Sequence, residues 1–485
     1  MSGTPKPSWS AQTDPLEVLA RLAAAHGRCW LVGGAVRDAL LGRATADFDL
    51  AVDGDPKTLA RALARATSGY AFLLSKEFGG WRVHAPSKSW QVDITPLMGE
   101  TLEEDLRRRD LTINAIAREL GQDGYSGQLI DPLGGVDDLS AGRLRAAGET
   151  SFSADPLRVL RLARIAAELG FSISAETVRL ARLAAPASSA VAPERVLAEL
   201  RLIMAGERPV TGLRHAYELG ATGAVLPELD ALREVGQSDY HHLDVYDHTM
   251  LTLEQVVTLT AEPESCFGAD DGARLREVFS QPLDGELTVA QAMRFSAVFH
   301  DLAKPLTRSV SPDGRVSFHG HDRAGAELSS AVLTRLRASD KLKSHVAALT
   351  RQHLRLGFLV HERPLSRRAV FRYLADCDPV GVEVTVLSVA DRVATRGRNH
   401  QAAISAHLEL AREMMPDALD WRACRPRPPV AGDTLAQALQ ITPGPQLGRL
   451  LLELRAASFA GEFADQTQLL EHARRWLAED AQHHR

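Results

Sequence analysis

The stretch Leu31-Val-Gly-Gly-Ala-Val-Arg-Asp-Ala-Leu-Leu-Gly-Arg-Ala-Thr-Ala-Asp-Phe-Asp-Leu-Ala-Val52 constrains this chain more than any other. A short apolar run, Cys29-Trp-Leu-Val32, ends at Gly33-Gly34, where missing side chains let backbone N–H groups close on an anion. A helix expected from about Ala35 aims its positive N-terminus at the same point, and Arg37 adds a cation, so a triphosphate fits the turn. Asp47 and Asp49 flank Phe48 on a strand running on through Leu50 and Val52, and the repeat of two sets both carboxylates on one face. Paired hard oxygen ligands suit Mg2+. Two such ions would lower the pKa of an attacking hydroxyl and hold a leaving pyrophosphate, the arrangement for in-line phosphoryl transfer.

In order and spacing the stretch resembles motif A of the nucleotidyltransferase superfamily, specifically the class II tRNA nucleotidyltransferases and bacterial poly(A) polymerases. Around it, the pattern predicts a small α/β head: a helix from about Pro15, another over Pro56–Ser68, and strands at Tyr70–Ser75, Gly80–His84 and Trp90–Ile94. Asp93, in the last strand, is a candidate third carboxylate for the metals. Arg108-Arg-Asp-Leu-Thr-Ile-Asn-Ala115 is expected to open a helix, with Asp110 and Asn114 four apart on one face and able to bond ribose hydroxyls. With Asp131-Pro-Leu-Gly-Gly-Val-Asp-Asp-Leu139, it resembles motifs B and C of the same enzymes. That resemblance implies ribose and triphosphate contacts for Arg109, Asp110 and Asn114.

Phe152-Ser-Ala-Asp-Pro-Leu-Arg-Val-Leu-Arg-Leu-Ala-Arg164 starts a long helix with Pro156 in its first turn. Asp155 and Arg158, three apart, combine an acceptor with a donor fork. Cytosine and adenine both present an amino donor beside a ring-nitrogen acceptor, whereas guanine and uracil present the reverse. A mismatch would strand a buried polar group at about 1–3 kcal/mol, so a protein pair can select CTP and ATP without a nucleic-acid template. The segment resembles motif D of the family, Glu-Asp-x-x-Arg, but carries Ala154 at the first position, which removes a carboxylate that would brace the arginine. Arg161, one turn on, is placed with the nucleotide-binding residues. Pro193-Glu194-Arg195 resembles motif E and is assigned a structural role. Arg179 and Arg182 lie in an all-helical neck and are candidates for RNA phosphates.

A second centre is independent of the first. His248, the pair His300-Asp301 closing an apolar helix, and Asp391 in another helix follow the order of the HD phosphohydrolase superfamily, which they resemble. Imidazole and carboxylate ligands suit a divalent metal whose bound water attacks a phosphoester, with His319, His321 and His353 as further ligands or phosphate contacts.

With 485 residues the chain is too long for one core. The expected class is α+β, divided into a disordered N-terminus (1–15), a nucleotidyltransferase head (16–147), a helical neck (148–230), a helical HD domain (231–414), and a linker with a helical tail (415–485). The tail, with helices either side of Thr442-Pro-Gly-Pro-Gln-Leu-Gly448, is expected to grip a folded tRNA by shape and backbone. A net charge of −6 excludes a uniformly basic coat and confines any RNA contact to local arginine-rich faces. No apolar run reaches the roughly 18 residues a membrane span needs and the N-terminus lacks a signal-peptide pattern, so a cytoplasmic protein is expected. Cys29, Cys266, Cys377 and Cys424 lie far apart without Cys-x-x-Cys, and neither a zinc knuckle nor a disulfide framework is expected.

The resemblance implies a tRNA 3′-end nucleotidyltransferase using Mg2+ with CTP and ATP as candidate substrates. Relatives that build the whole C-C-A end carry a long flexible loop between the third-carboxylate strand and motif B, a lever from CTP to ATP. Here Ile94 is followed by Thr-Pro-Leu-Met-Gly-Glu-Thr-Leu-Glu-Glu104 and at once by Asp105-Leu106 and the arginines. The expectation is therefore a CC-adding enzyme served by a separate A-adding partner, with a complete CCA-adding enzyme or a poly(A) polymerase as alternatives. The rival from another class is an HD phosphohydrolase or regulatory RNA binder with a relic head.

Overall fold

The computed structural model describes residues 14–76, 79–121, 127–237, 243–285, 287–395 and 400–483. The N-terminus expected to be disordered falls, up to residue 13, outside the described residues. The chain divides into two compact units, one of 1–199 with 211–225 and the other of 200–210 with 226–485.

The first unit opens with α1 (Pro15–His26), whose N-cap Asp14 accepts a hydrogen bond from the Leu16 N–H and whose first turn holds proline. Then come β1 (Cys29–Val32), α2 (Gly34–Leu40), β2 (Asp47–Val52), α3 (Pro56–Thr67), β3 (Tyr70–Ser75), β4 (Gly80–His84) and β5 (Gln91–Pro96). With β6 (Ala117–Leu120) and β7 (Leu129–Ile130) they form one mixed sheet in the order β3-β4-β5-β2-β1-β6-β7. The pair β2–β5 is parallel; its neighbours are antiparallel. Alternation decides the faces. Phe48, Leu50, Val52, Val83, Val92 and Ile94 bury into one core with Leu19 of α1 and Leu59 and Leu63 of α3. Each such leucine contributes roughly 1.5–3 kcal/mol, enough to fix the register, because a slip of one residue would send this set to the other side. Asp47 and Asp49 consequently point to the opposite face.

The segment around Arg108 departs from expectation. The helix there, α4 (Leu102–Arg107), ends at the arginines rather than starting from them, and Thr112–Asn114 form a single 3-10 turn. Thr101 caps α4 by accepting from the Glu104 N–H, and Glu103, Glu104 and Asp105 complement its positive end, so the helix nucleates upstream. Downstream, the Asp110 carboxylate takes the Leu111 N–H and the Thr112 N–H goes to the Arg145 carbonyl, which diverts the backbone from a helical ladder. After α5 (Gly135–Ser140) come α6 (Leu157–Leu169), α7 (Ala175–Ala184), α8 (Pro193–Ala205), α9 (Pro209–Glu218) and α10 (Ala221–Val225).

The second unit is helical apart from two short ladders among its described residues. It runs through α11 (Pro227–Asp230), α12 (Val245–Ala261), α13 (Pro263–Phe267), α14 (Ala269–Ser280), α15 (Val289–Phe299), α16 (Lys304–Thr307), α17 (His321–Arg335), α18 (Asp340–Gln352), α19 (Arg355–Leu359), α20 (Arg367–Asp376) and α21 (Gly381–Ala394). Helix α22 (His400–Ala423) continues through Met414 and Pro416, and the proline-rich Arg425–Pro429 stretch follows it. The last three helices, α23 (Gly432–Leu439), α24 (Pro445–Phe459) and α25 (Gln466–His483), have their own small core of Leu435, Leu447, Leu450, Leu454 and Leu469. Arg368 of α20 ties that core to the rest of the unit through Glu453 and Glu462. The architecture is the expected one, a mixed-sheet head with a mostly helical body. Among the described residues no helix is long and apolar enough to cross a membrane.

Candidate functional site

Strand register assembles the carboxylates. Asp49 stands opposite Asp93 across the parallel β2–β5 pair, and Asp47 stands opposite Gln91, so Asp47, Asp49 and Asp93 share one face. Solvent reaches Asp49, yet the protein around it withdraws enough water to raise its carboxyl; Arg109 opposes this, and the charges of Asp93 and Asp47 add to it. Surplus negative charge is concentrated here. On β4, Arg82 pairs with Asp93 in register and clamps it with two bonds of 2.6 Å, Nε to Oδ1 and Nη2 to Oδ2. The sequence reading passed over Arg82, because only antiparallel pairing brings it beside Asp93.

The glycine turn meets the carboxylates through Arg109. Gly33 has φ +74°, and a Cβ there would lie 3.2 Å from both Asp49 Oδ2 and Arg109 Nη1, so the glycine admits both groups to the turn. The other nitrogens of Arg109, Nε and Nη2, donate to Asp105 Oδ2 at 3.2 and 3.0 Å. Asp105, buried and not foreseen, also accepts from the Met98 N–H at 3.0 Å. Its signal was the four-residue spacing to Arg109, just past the end of α4.

Arg37 is buried beside Gly34, but its charge is spent locally: Nε and Nη2 hold Asp38, and Nη1 donates to Asn114 Oδ1 at 3.0 Å. Asn114 in turn donates to Asp110 Oδ1 at 3.0 Å, so the two lie together and bond each other, although no α-helix carries them. Burial pushes the Asp110 carboxyl up, but Arg161, the Asn114 hydrogen bond and Arg158 bring it below its ordinary value. Arg161 lies 3.7 Å from Asp110 and bonds Glu199, which also holds Arg164.

Asp155 and Arg158, the pair expected to read the base, are each held by other partners. Asp155 and Arg158 approach only to 4.0 Å. Asp155 Oδ2 is held instead by Arg195 Nη2 at 2.7 Å, and Oδ1 accepts from the Leu157 N–H. Arg195, assigned only a structural role from its motif, therefore touches the pair directly. Arg158 Nη1 donates to the carbonyls of Arg108 and Ser151, both at 2.9 Å. Two main-chain oxygens thus brace the arginine where Ala154 offers no carboxylate. Each Asp155 oxygen keeps a second lone pair for a base amino group. Outside this cluster, Arg179 pairs with Glu176 and Arg182 with the Glu218 carbonyl, both at the surface.

The second unit gathers its metal-type ligands from five helical segments. His248 (α12), His300 and Asp301 (after α15) form one close group; Asp301, His321 (α17) and His353 (after α18) form another, all buried and sharing Asp301. Asp391 of α21 joins through His248, with Nε2 to Oδ1 at 2.9 Å. His321 and His353 face each other at 3.3 Å between Nε2 atoms. Their Nδ1 atoms lie within hydrogen-bond distance of the Phe318 and Thr350 carbonyls, and that of His300 near the Ala297 carbonyl, which orients Nε2 inward. Burial, then the neighbouring imidazoles, lowers His353 to about 4 and keeps it neutral as a ligand must be. Asp301, though desolvated, lies well below its ordinary value because of His300, Lys304 and His321. Lys304, three residues on, reaches Asp301 at 2.7 Å and was not foreseen. His319 is exposed and belongs to neither group.

Residues 29–145 match the family described as the Poly A polymerase head domain, 170–233 the probable RNA and SrmB-binding site of polymerase A, and 245–396 the HD domain. The chain is 35% identical to an A-adding tRNA nucleotidyltransferase of Deinococcus radiodurans, over 93% of this chain and 95% of that protein. It is 33% identical to a CC-adding tRNA nucleotidyltransferase of Thermus thermophilus, over 89% of each. A Thermotoga maritima CCA-adding enzyme solved with tRNA shares the fold, with a TM-score of 0.61 and 20% identity over 96% of this chain and 97% of that one.

Proposed function

We propose, from the premise that the chain belongs to the tRNA nucleotidyltransferase and poly(A) polymerase family, that it adds cytidines from CTP to the tRNA 3′ end and stops after two. The relatives' names divide among A-adding, CC-adding and multifunctional CCA proteins, so the argument rests on this chain's own geometry. One observation carries it. Between β5 and α4 the backbone has no slack: the Leu97 N–H bonds the Val52 carbonyl, the Met98 N–H bonds Asp105, the Glu100 N–H bonds Glu104, and Thr101 caps the helix. A segment so tied supplies no lever, and the Arg195 and carbonyl braces hold Asp155 and Arg158 in one setting. A setting that fits cytosine leaves the larger adenine misplaced.

Asp47 and Asp49 fit Mg2+, since their carboxylates share one solvent-reached face, and Asp93 faces them with both oxygens held by Arg82. A divalent cation bound there supplies charge neutralisation and a lowered pKa for the attacking 3′-hydroxyl. The protein does the rest by position. Arg109 and the Gly33 turn hold the triphosphate, Asp110 and Asn114 meet the ribose, and Asp155 with Arg158 reads the base. The test offers tRNA lacking its 3′ end with CTP and ATP together and reads product length. Two added cytidines and no adenosine are expected. Adenosine added at a comparable rate makes this a complete CCA-adding enzyme, and extension only of tRNA ending in CC makes it an A-adding one.

The buried cluster of the second unit favours a second activity, metal-dependent hydrolysis of phosphomonoesters or 2′,3′-cyclic phosphates, which would clean a damaged 3′ end before extension. His248, His300, Asp301, His321, His353 and Asp391 are the ligands available for the divalent metal. Hydrolysis of a 2′,3′-cyclic nucleotide by the purified chain, lost on chelation and restored by metal, is the expected result.

A further inference from the structure

The face of the head sheet that carries the carboxylates extends beyond them to the sheet edge, and its last strand is unlike a solvated one. Opposite Asp49 lies Asp93, opposite Asp93 lies Arg82, and opposite Arg82 lies Phe72. The adjoining row runs Asp47, Gln91, His84, Tyr70. Tyr70 is 67% exposed and Phe72 44%; on the opposite face Ala71 packs against the core, and Leu73, 41% exposed, precedes a register shift that ends the pattern. The Phe72 ring lies 5.4 Å from that of His84, tilted by 32°, so the aromatic surface is a layer on the sheet. Exposed aromatics on an edge strand invite aggregation unless something uses them.

We propose that this open face of β3 and β4 is a stacking platform for the single-stranded 3′ end of the RNA being extended. The inference rests on the nucleotidyltransferase reading above. Three strand spacings of about 4.8 Å separate β2 from β3, on the order of 14 Å, the span of a short run of nucleotides. An RNA whose terminal hydroxyl sits at Asp47 and Asp49 therefore lays its preceding bases across Phe72 and Tyr70. Aromatic rings hold unpaired bases by stacking and tolerate any sequence, as an enzyme acting on many tRNAs requires. Arg82 stands between the two zones. Its charge cancels Asp93 and lets backbone phosphates pass the carboxylates. Continuity with the reacting carboxylates and this interposed cation favour RNA over a second copy of the chain as the occupant.

The test uses the full chain and an acceptor minihelix with a single-stranded 3′ end carrying 2-aminopurine two nucleotides before its last nucleotide. Wild type should quench the 2-aminopurine emission on binding. A Tyr70→Ala/Phe72→Ala variant, checked for an unchanged melting curve, should not, and its KM for the minihelix should rise about tenfold or more. The effect should fall on KM for RNA and leave KM for CTP in place. Tyr70→Trp/Phe72→Trp should restore both signals. Equal quenching and equal KM in wild type and the alanine variant would overturn the proposal. So would a wild-type dimer that the alanine variant dissociates without change in RNA KM, which assigns the face to a second copy. Quenching requires no nucleotide addition, so quenching without addition would refute the reaction and leave the platform standing.

Discussion

The two sites solve the problem of holding charge in opposite ways. In the head, three carboxylates stand on a solvent-reached sheet face, and their counter-charges, Arg82 and Arg109, come from a neighbouring strand and the segment after α4. In the second unit, histidines and carboxylates from separate helices are gathered together, and Lys304 adds a cation on Asp301. An open site suits a large polymer that brings charge with it and leaves after each step. A closed one suits a small phosphoester and keeps its ligands arranged beforehand, at a desolvation cost met by ion pairs and hydrogen bonds.

The widest separation should come from crossed substitutions. Asp47→Ala or Asp49→Ala should lower nucleotide addition on the order of a thousandfold or more while leaving tRNA binding and hydrolysis near wild type. Asp301→Ala removes the ligand shared by both groupings and should abolish hydrolysis while sparing addition. Loss of both activities in one folded variant would break the division into two centres.

Acid should distinguish the regions next. His345 and His407, in the second unit, are held down to about 4, chiefly by burial, whereas in the unfolded chain they protonate near the ordinary value of about 6.5. As pH falls through that window the unfolded state takes up protons that the folded state refuses, so stability falls, by up to about 3 kcal/mol for each histidine by pH 4. The Asp110 carboxyl of the head is depressed instead, so its contribution is present above about 3.8 and lost only below it. Calorimetry at pH 7 and pH 5 should show the transition of the second unit moving down more than that of the head.

The smallest effect sharpens the account of base choice. Arg195→Ala releases Asp155 from its 2.7 Å partner, and the preference for CTP over UTP, measured as a ratio of kcat/KM, should fall about tenfold. Unchanged preference would show that Asp155 needs no such hold.

What the sequence made legible was whatever depends on local period. Alternation placed Asp47 and Asp49 on one face, and motif order gathered His248, His300-Asp301 and Asp391. What it hid were partners joined only by packing. Arg82 reaches Asp93 by antiparallel register, Arg195 reaches Asp155 from another helix, and Glu199 gathers Arg161 and Arg164 across the fold. The helix misplaced at Arg108 failed for a different reason. A threonine cap and an acidic first turn upstream outcompeted the expected start, while Asp110 and the bond of the Thr112 N–H to the Arg145 carbonyl held the following residues out of it.

The brace on Arg158 has a consequence for how this chain can change over generations. A carboxylate at position 154 could be erased by one codon. The carbonyl oxygens of Arg108 and Ser151 belong to the main chain, and substitution of either side chain leaves them in place. With Arg158 itself retained, loosening it then requires rerouting backbone, so side-chain substitution reaches the hold on Asp155 more readily than the hold on Arg158.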